Sequence, residues 1–89
     1  MFVVYLIQHS ISQEIYIGFT KNLEKRLESH NSNHNRATKR DSGEWILVYA
    51  EAYRIEHDAR VRENKLKQHG SAIQGLKRRI KTSWIENKK

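Results

Sequence analysis

Two tyrosines, an arginine, a histidine and a glutamate carry most of the chemistry available to this chain: Tyr5, Tyr16, Arg26, His30 and Glu63. Tyr5 lies in FVVYLIQ and Tyr16 in EIYI, apolar and β-branched segments that read as neighbouring strands. Two phenols on adjacent strands can project toward one region, although a half-buried tyrosine with a wet hydroxyl is also ordinary in a sheet. Arg26 and His30 are one helical turn apart in LEKRLESH, bordering the inward stripe of Leu23 and Leu27. A planar guanidinium there can clamp a phosphate, or pair with Glu24, Glu28 or Glu63. Glu63 is the anomaly. Ile55, Ala59 and Leu66 mark the inward stripe of their helix, and Glu63 falls between Ala59 and Leu66 on it. An isolated carboxylate taken out of water costs on the order of several kcal/mol. Glu63 must therefore pair with Arg26, Arg60 or Arg62, stay hydrated in a cleft, or bind a cation.

In a basic protein this set suits metal-assisted hydrolysis of a phosphodiester. One carboxylate with waters can hold Mg²⁺ or Mn²⁺, hard cations that keep much of their hydration. Arginine would bind the phosphate, and a tyrosine beside a cation could take a proton from water. The formal charge of +7 and the pI of about 9.9 point to a polyanionic partner, with nucleic acid first and an acidic membrane surface second. Gly18, Lys21, Arg36, Lys39, Arg40 and Lys67 are the residues expected to contact it, Gly18 by letting the substrate come close to the strand end. Solubility alone is the plainer account of the charge. His30 and His34 have the i,i+4 spacing of a metal pair, but HNSNHN reads as loop; His57 and His69 read as solvent-facing. There is no P-loop, nucleophile elbow or paired His-Glu zinc motif.

The elements that must position these residues follow from the pattern. Eighty-nine residues make one domain, expected to span 1–89, with a small core. Hydrophobic residues are 37% and charged residues 30%, which is within reach of a globular fold. The chain has no cysteine, so disulfides and thiolate metal sites are excluded. No apolar run approaches a membrane span and the start does not read as a signal peptide, so a soluble, cytoplasmic protein is expected. Phe2 to Gln8 and Glu14 to Ile17 read as a hairpin. Gly18 reads as the turn into a helix capped by Asn22, either through positive φ or through a close backbone approach. Asn31 to Glu44 reads as a mobile basic loop. Trp45 to Ala52 reads as a third strand buried on both faces. Ile55 to Gln68 is a helix ended by Gly70, and Ser71-x-x-Gln74 is a capping-box pattern opening a last helix with Ala72, Ile73, Leu76 and Ile80 on one face. The order is β-β-α-β-α-α.

Those residues are also where a family resemblance appears. The chain resembles the GIY-YIG nuclease superfamily, most of all small stand-alone members akin to the catalytic domain of the bacterial excision-repair nuclease UvrC. Val3-Val4-Tyr5 matches the first motif with only the tyrosine kept, and Tyr16-Ile17-Gly18 is the second motif intact. Arg26 matches the arginine ten residues after the second tyrosine. His30 matches a histidine carried by some restriction-enzyme members, and Ala59-x-x-Arg62-Glu63-x-x-Leu66-Lys67 places the metal-binding glutamate on Glu63. The resemblance implies an α+β fold with a central three-stranded antiparallel sheet flanked by helices, one divalent metal, and DNA-strand cleavage with Tyr5 as general base. Two departures stand out: Phe19 where repair members carry lysine, and Gln74-Gly75-Leu76 where many carry an asparagine. They keep a non-catalytic nucleic-acid-binding module on the same fold as the alternative; a ribosome-associated protein is a third reading, but charge alone does not call for an inward Glu63. Targeting would come from a protein partner or from weak, short-range preference.

Overall fold

The computed structural model describes residues 1–32, 36–68 and 70–84; His34 and His69 lie outside them. The element order is the expected one: β1 (Phe2–His9), β2 (Ile15–Thr20), α1 (Leu23–Asn31), β3 (Trp45–Tyr53), α2 (Glu56–Lys67) and α3 (Ser71–Arg79). Short 3₁₀ turns span Arg36–Thr38 and Lys81–Ser83. The strands form an antiparallel sheet in the order β2-β1-β3, an α+β fold. No helix among the described residues is long and apolar enough to cross a membrane.

The first strand is the interior one. Its side chains alternate between two clusters, as the period of a strand requires. Val4 and Leu6 join Ile17, Ala59, Leu66, Ile73 and Leu76 beneath α2 and α3. Tyr5 and Ile7 join Trp45 on the opposite face, against Leu23 and Leu27 of α1. The apolar stripes expected for α1 and α3 are therefore the ones that dock.

Several expectations need correction. β3 is an edge strand, not one buried on both faces: Ile46 and Leu47 are each 38% exposed. Its apolar run resembles that of β1, but a three-stranded sheet has one interior strand and β1 occupies it. An irregularity between Leu6 and Ile7 also shifts the β1–β3 register, pairing Leu6 with Tyr49 and Ile7 with Leu47. Ile55 is the N-cap of α2 and half exposed, so the inward stripe there is Ala59, Glu63 and Leu66. Gly70 does not end α2 in a left-handed conformation; at φ −97° it is the N-cap of α3, and Ser71 is already helical with no capping bond. The segment after α1 is tied down at its described ends. Asn31 Oδ1 accepts from Trp45 N at 2.6 Å, and Trp45 Nε1 donates to the Thr38 carbonyl at 2.7 Å.

One further tie sets the pose of α2. Arg62 donates to Glu51 of β3 at 2.9 and 3.3 Å, while Tyr49 and Tyr53 donate to the same carboxylate at 2.7 and 2.8 Å. Burial alone would raise the Glu51 pKa, but these hydrogen bonds outweigh it and hold it below its ordinary value. Arg62 facing β3 turns its neighbour Glu63 toward β1 and β2.

Candidate active site

Gly18 decides how the site is built. It is not a turn: it lies inside β2, directly opposite Tyr5, without positive φ. Of the two reasons the sequence offers for glycine, the close approach is the operative one. A Cβ at Gly18 would collide with Oη and Cζ of Tyr5 and stand 2.8 Å from Cε1. The missing side chain lets the Tyr5 ring lie across the neighbouring strand. β2 continues to Thr20, whose hydroxyl accepts from Asn22 N at 3.0 Å, and Asn22 caps α1 as expected by accepting from Lys25 N at 3.1 Å.

Tyr5, Tyr16, Gly18, Lys21, Arg26 and Glu63 line one open cleft of about 510 Å³. The structure therefore brings together most of the residues selected from the sequence. His30 lies behind them, fully buried, with its ring 5.7 Å from that of Tyr5 and 5.1 Å from that of Tyr16. Its Nε2 meets Tyr5 Oη at 2.8 Å and its Nδ1 meets Thr38 Oγ1 at 2.6 Å. Thr38 is fully buried, and nothing in its polar tract sets it apart in the sequence. The three groups form a hydrogen-bonded chain running from the cleft into the core.

Burial raises the Tyr5 pKa well above the ordinary value, with the Tyr16 phenol adding to it and the Arg26 guanidinium opposing it. Burial, then Arg26, lowers that of His30. His30 is therefore neutral at neutral pH, with one nitrogen donating and the other accepting. Arg26 forms no ion pair with Glu24, Glu28 or Glu63, which leaves its charge directed at the Tyr5 hydroxyl.

Glu63 is 7% exposed. Its partners are Lys67 Nζ at 2.9 Å and Arg60 Nη1 at 3.7 Å. Arg60 was among the expected partners; Arg26 and Arg62 are not partners, and Lys67 takes the closer place. No group of three or more His, Cys, Asp or Glu that could hold a metal occurs among the described residues. A lone carboxylate lining an open cleft is a hard-oxygen donor, compatible with a largely water-ligated divalent cation and unsuited to a tetrahedral zinc site. Lys67 is about half exposed and can leave the carboxylate for solvent, while Arg60 stands at 3.7 Å, beyond hydrogen-bond reach.

The remaining basic candidates lie elsewhere. Arg36 and Lys39 are exposed and away from the cleft lining. Arg40 pairs with both oxygens of Glu14, at 3.1 and 2.8 Å, beside the Trp45 ring.

A family profile described as the GIY-YIG catalytic domain matches residues 1–79. The chain is also 36% identical over 56 residues to the UPF0213 protein CPE1444 of Clostridium perfringens (strain 13 / Type A), covering 63% of this chain and 60% of that one. The aligned stretch thus spans less than two thirds of that relative. No solved structure matches. The profile takes in both tyrosine strands, the arginine helix and the glutamate helix, and on that extent the chain belongs to the GIY-YIG catalytic domain family.

Proposed function

We propose that the chain is a divalent-metal-dependent endonuclease that hydrolyses DNA phosphodiester bonds. The observation that supports this best is the inward Glu63 sharing one open cleft with Tyr5, Tyr16 and Arg26 in a protein of charge +7. Glu63 would hold one Mg²⁺ or Mn²⁺ with waters; such an ion supplies Lewis-acid charge beside the phosphate. Arg26 binds a phosphate oxygen through its planar fork. Tyr5 removes the proton of the attacking water. Its raised pKa means that it holds its own proton at rest, so that proton must leave as the other arrives, and His30 Nε2 is 2.8 Å away to receive it. Tyr16 packs beside Tyr5 and His30 and keeps the phenol in place. Lys21, which lines the cleft, and Lys67, beside Glu63, would contact the DNA strand. A role in DNA repair and a targeting partner rest on the resemblance alone.

One observation favours the non-catalytic reading: Lys67 already neutralises Glu63. The two readings separate in a cleavage assay over single-stranded, duplex, flap and branched DNA with Mg²⁺, Mn²⁺ and chelator. Nicking that needs a divalent metal and is lost in Glu63→Ala and Arg26→Ala is the expected result. Metal-independent cutting, or full activity in Glu63→Ala, overturns the nuclease reading. Salt-sensitive binding without turnover in any metal establishes the alternative.

A further inference from the structure

The cleft has a wall the functional reading does not use. Arg60 of α2 lines it, with its guanidinium carbon 3.8 Å from the centroid of the Phe19 ring. Phe19 in turn stacks on Phe2, centroids 6.1 Å apart and planes 16° from parallel. Lys21 lies 5.8 Å over the other member of that stack.

An arginine stacked on a ring uses its π face for the contact and leaves its N–H donors pointing outward in the guanidinium plane. Among the described residues no short hydrogen bond uses those donors. The nearest carboxylate oxygens are Glu56 at 3.5 Å and Glu63 at 3.7 Å, at and beyond the limit of a hydrogen bond. The Arg60 side chain is 52% exposed. Stacking also removes much of the rotamer freedom that makes a surface arginine a poor phosphate ligand. The result is a fixed fork of donors on the α2 wall of a cleft whose α1 wall carries Arg26.

We propose that Arg60 is a second phosphate-binding residue for the nucleic-acid strand, and that Phe19 is its positioning residue. Arg60 contacts a backbone phosphate; Phe19 touches no substrate and acts by holding the guanidinium at the rim. This deepens the reading of the cleft as a nucleic-acid site, but it is tested by binding and so does not depend on turnover.

The test measures the affinity of the full chain for a fluorescent single-stranded oligonucleotide across a salt series. Chelator is present throughout, so cleavage plays no part. Removing one phosphate contact lowers the slope of log affinity against log salt by about 0.7 on single-stranded DNA. Arg60→Ala is expected to show that loss, and Phe19→Leu, which keeps the apolar packing, most of it. The double variant should be no worse than Arg60→Ala, because Phe19 acts through Arg60. Phe19→Lys combined with Arg60→Ala places a cation on the same wall and should restore the slope. Circular dichroism confirms that each variant is folded. An unchanged slope in Arg60→Ala, additive losses in the double variant, or no restoration by Phe19→Lys overturns the proposal, as does a wild-type chain that does not bind the oligonucleotide. If the slopes behave as expected but no metal supports cleavage, only the nuclease reading falls.

Discussion

Two regions of this small protein are built from the same residue types, a glutamate, arginines and a pair of tyrosines. Around Glu51 every partner is spoken for. Two phenols and a two-pronged arginine fill the carboxylate within 3.3 Å, and the cluster ties β3 to α2. Around Glu63 nothing is saturated. The carboxylate is held by two half-exposed cations, Arg26 has no ion pair among the described residues, and Tyr5 turns its hydroxyl to a buried histidine beside open space. The inventory of side chains does not separate a structural knot from an open cleft with unspent donors and acceptors. What separates them is whether the hydrogen-bonding capacity is already used, and by groups that can move away.

The contrast breaks if the two glutamates exchange effects. Glu63→Gln is expected to lower DNA cleavage by roughly 10³-fold, the scale of losing a transition-state charge contact. Its melting temperature should be unchanged or higher, because a desolvated charge is removed. Glu51→Gln should do the reverse, costing about 2 kcal/mol of stability because Arg62 loses its charged partner, with cleavage below the melting range nearly unaffected. Paired initial rates and thermal melts on both variants decide it.

Acid titration tests the same division. His30 has a folded pKa below its ordinary 6.5, so its contribution is complete above 6.5 and is lost as pH falls from there toward the lowered value. Glu51 has a folded pKa below its ordinary 4.5, so its contribution is lost only as pH falls below 4.5. Wild-type stability should therefore decline in two stages. His30→Gln should flatten the first stage alone and Glu51→Gln the second alone; one merged transition in both variants would remove the distinction.

Smaller effects sharpen the picture. Thr38→Val keeps shape but deletes the hydroxyl against His30 Nδ1, at an expected cost of about 1 kcal/mol in stability and about tenfold in cleavage, moving the acid limb of the rate profile. Thr38→Ser should restore all three. On the proposed reading, Lys67→Met should lower the metal concentration needed by up to about fivefold, because an exposed ion pair would compete with the metal at only about 1 kcal/mol. Metal titration of the initial rate measures it.

Much of this was readable from the sequence, for physical reasons that differ by residue. Glu63 announced itself because a carboxylate on an apolar stripe violates a strong rule. The strands and helices showed through their periods. The interior position of β1 did not show, because FVVYLIQ and WILVYAEA are equally apolar and strand order depends on pairing across more than thirty residues. Thr38 stayed hidden in a charged, aperiodic tract, since its partner is set by tertiary contact. The capping-box pattern at Ser71 misled because the chain enters α3 through Gly70.

The bare Gly18 opposite Tyr5 has a consequence for how the chain finds its fold. Strand pairing in a hairpin can slip, and a slip by one residue would set Ile17 or Phe19 against Tyr5. Either side chain would occupy the space the phenol ring needs. The same gap that lets Tyr5 reach the cleft thus acts as a register check during folding. A hairpin closed out of step cannot seat the ring, so only the aligned register is compatible with the sheet that β3 completes.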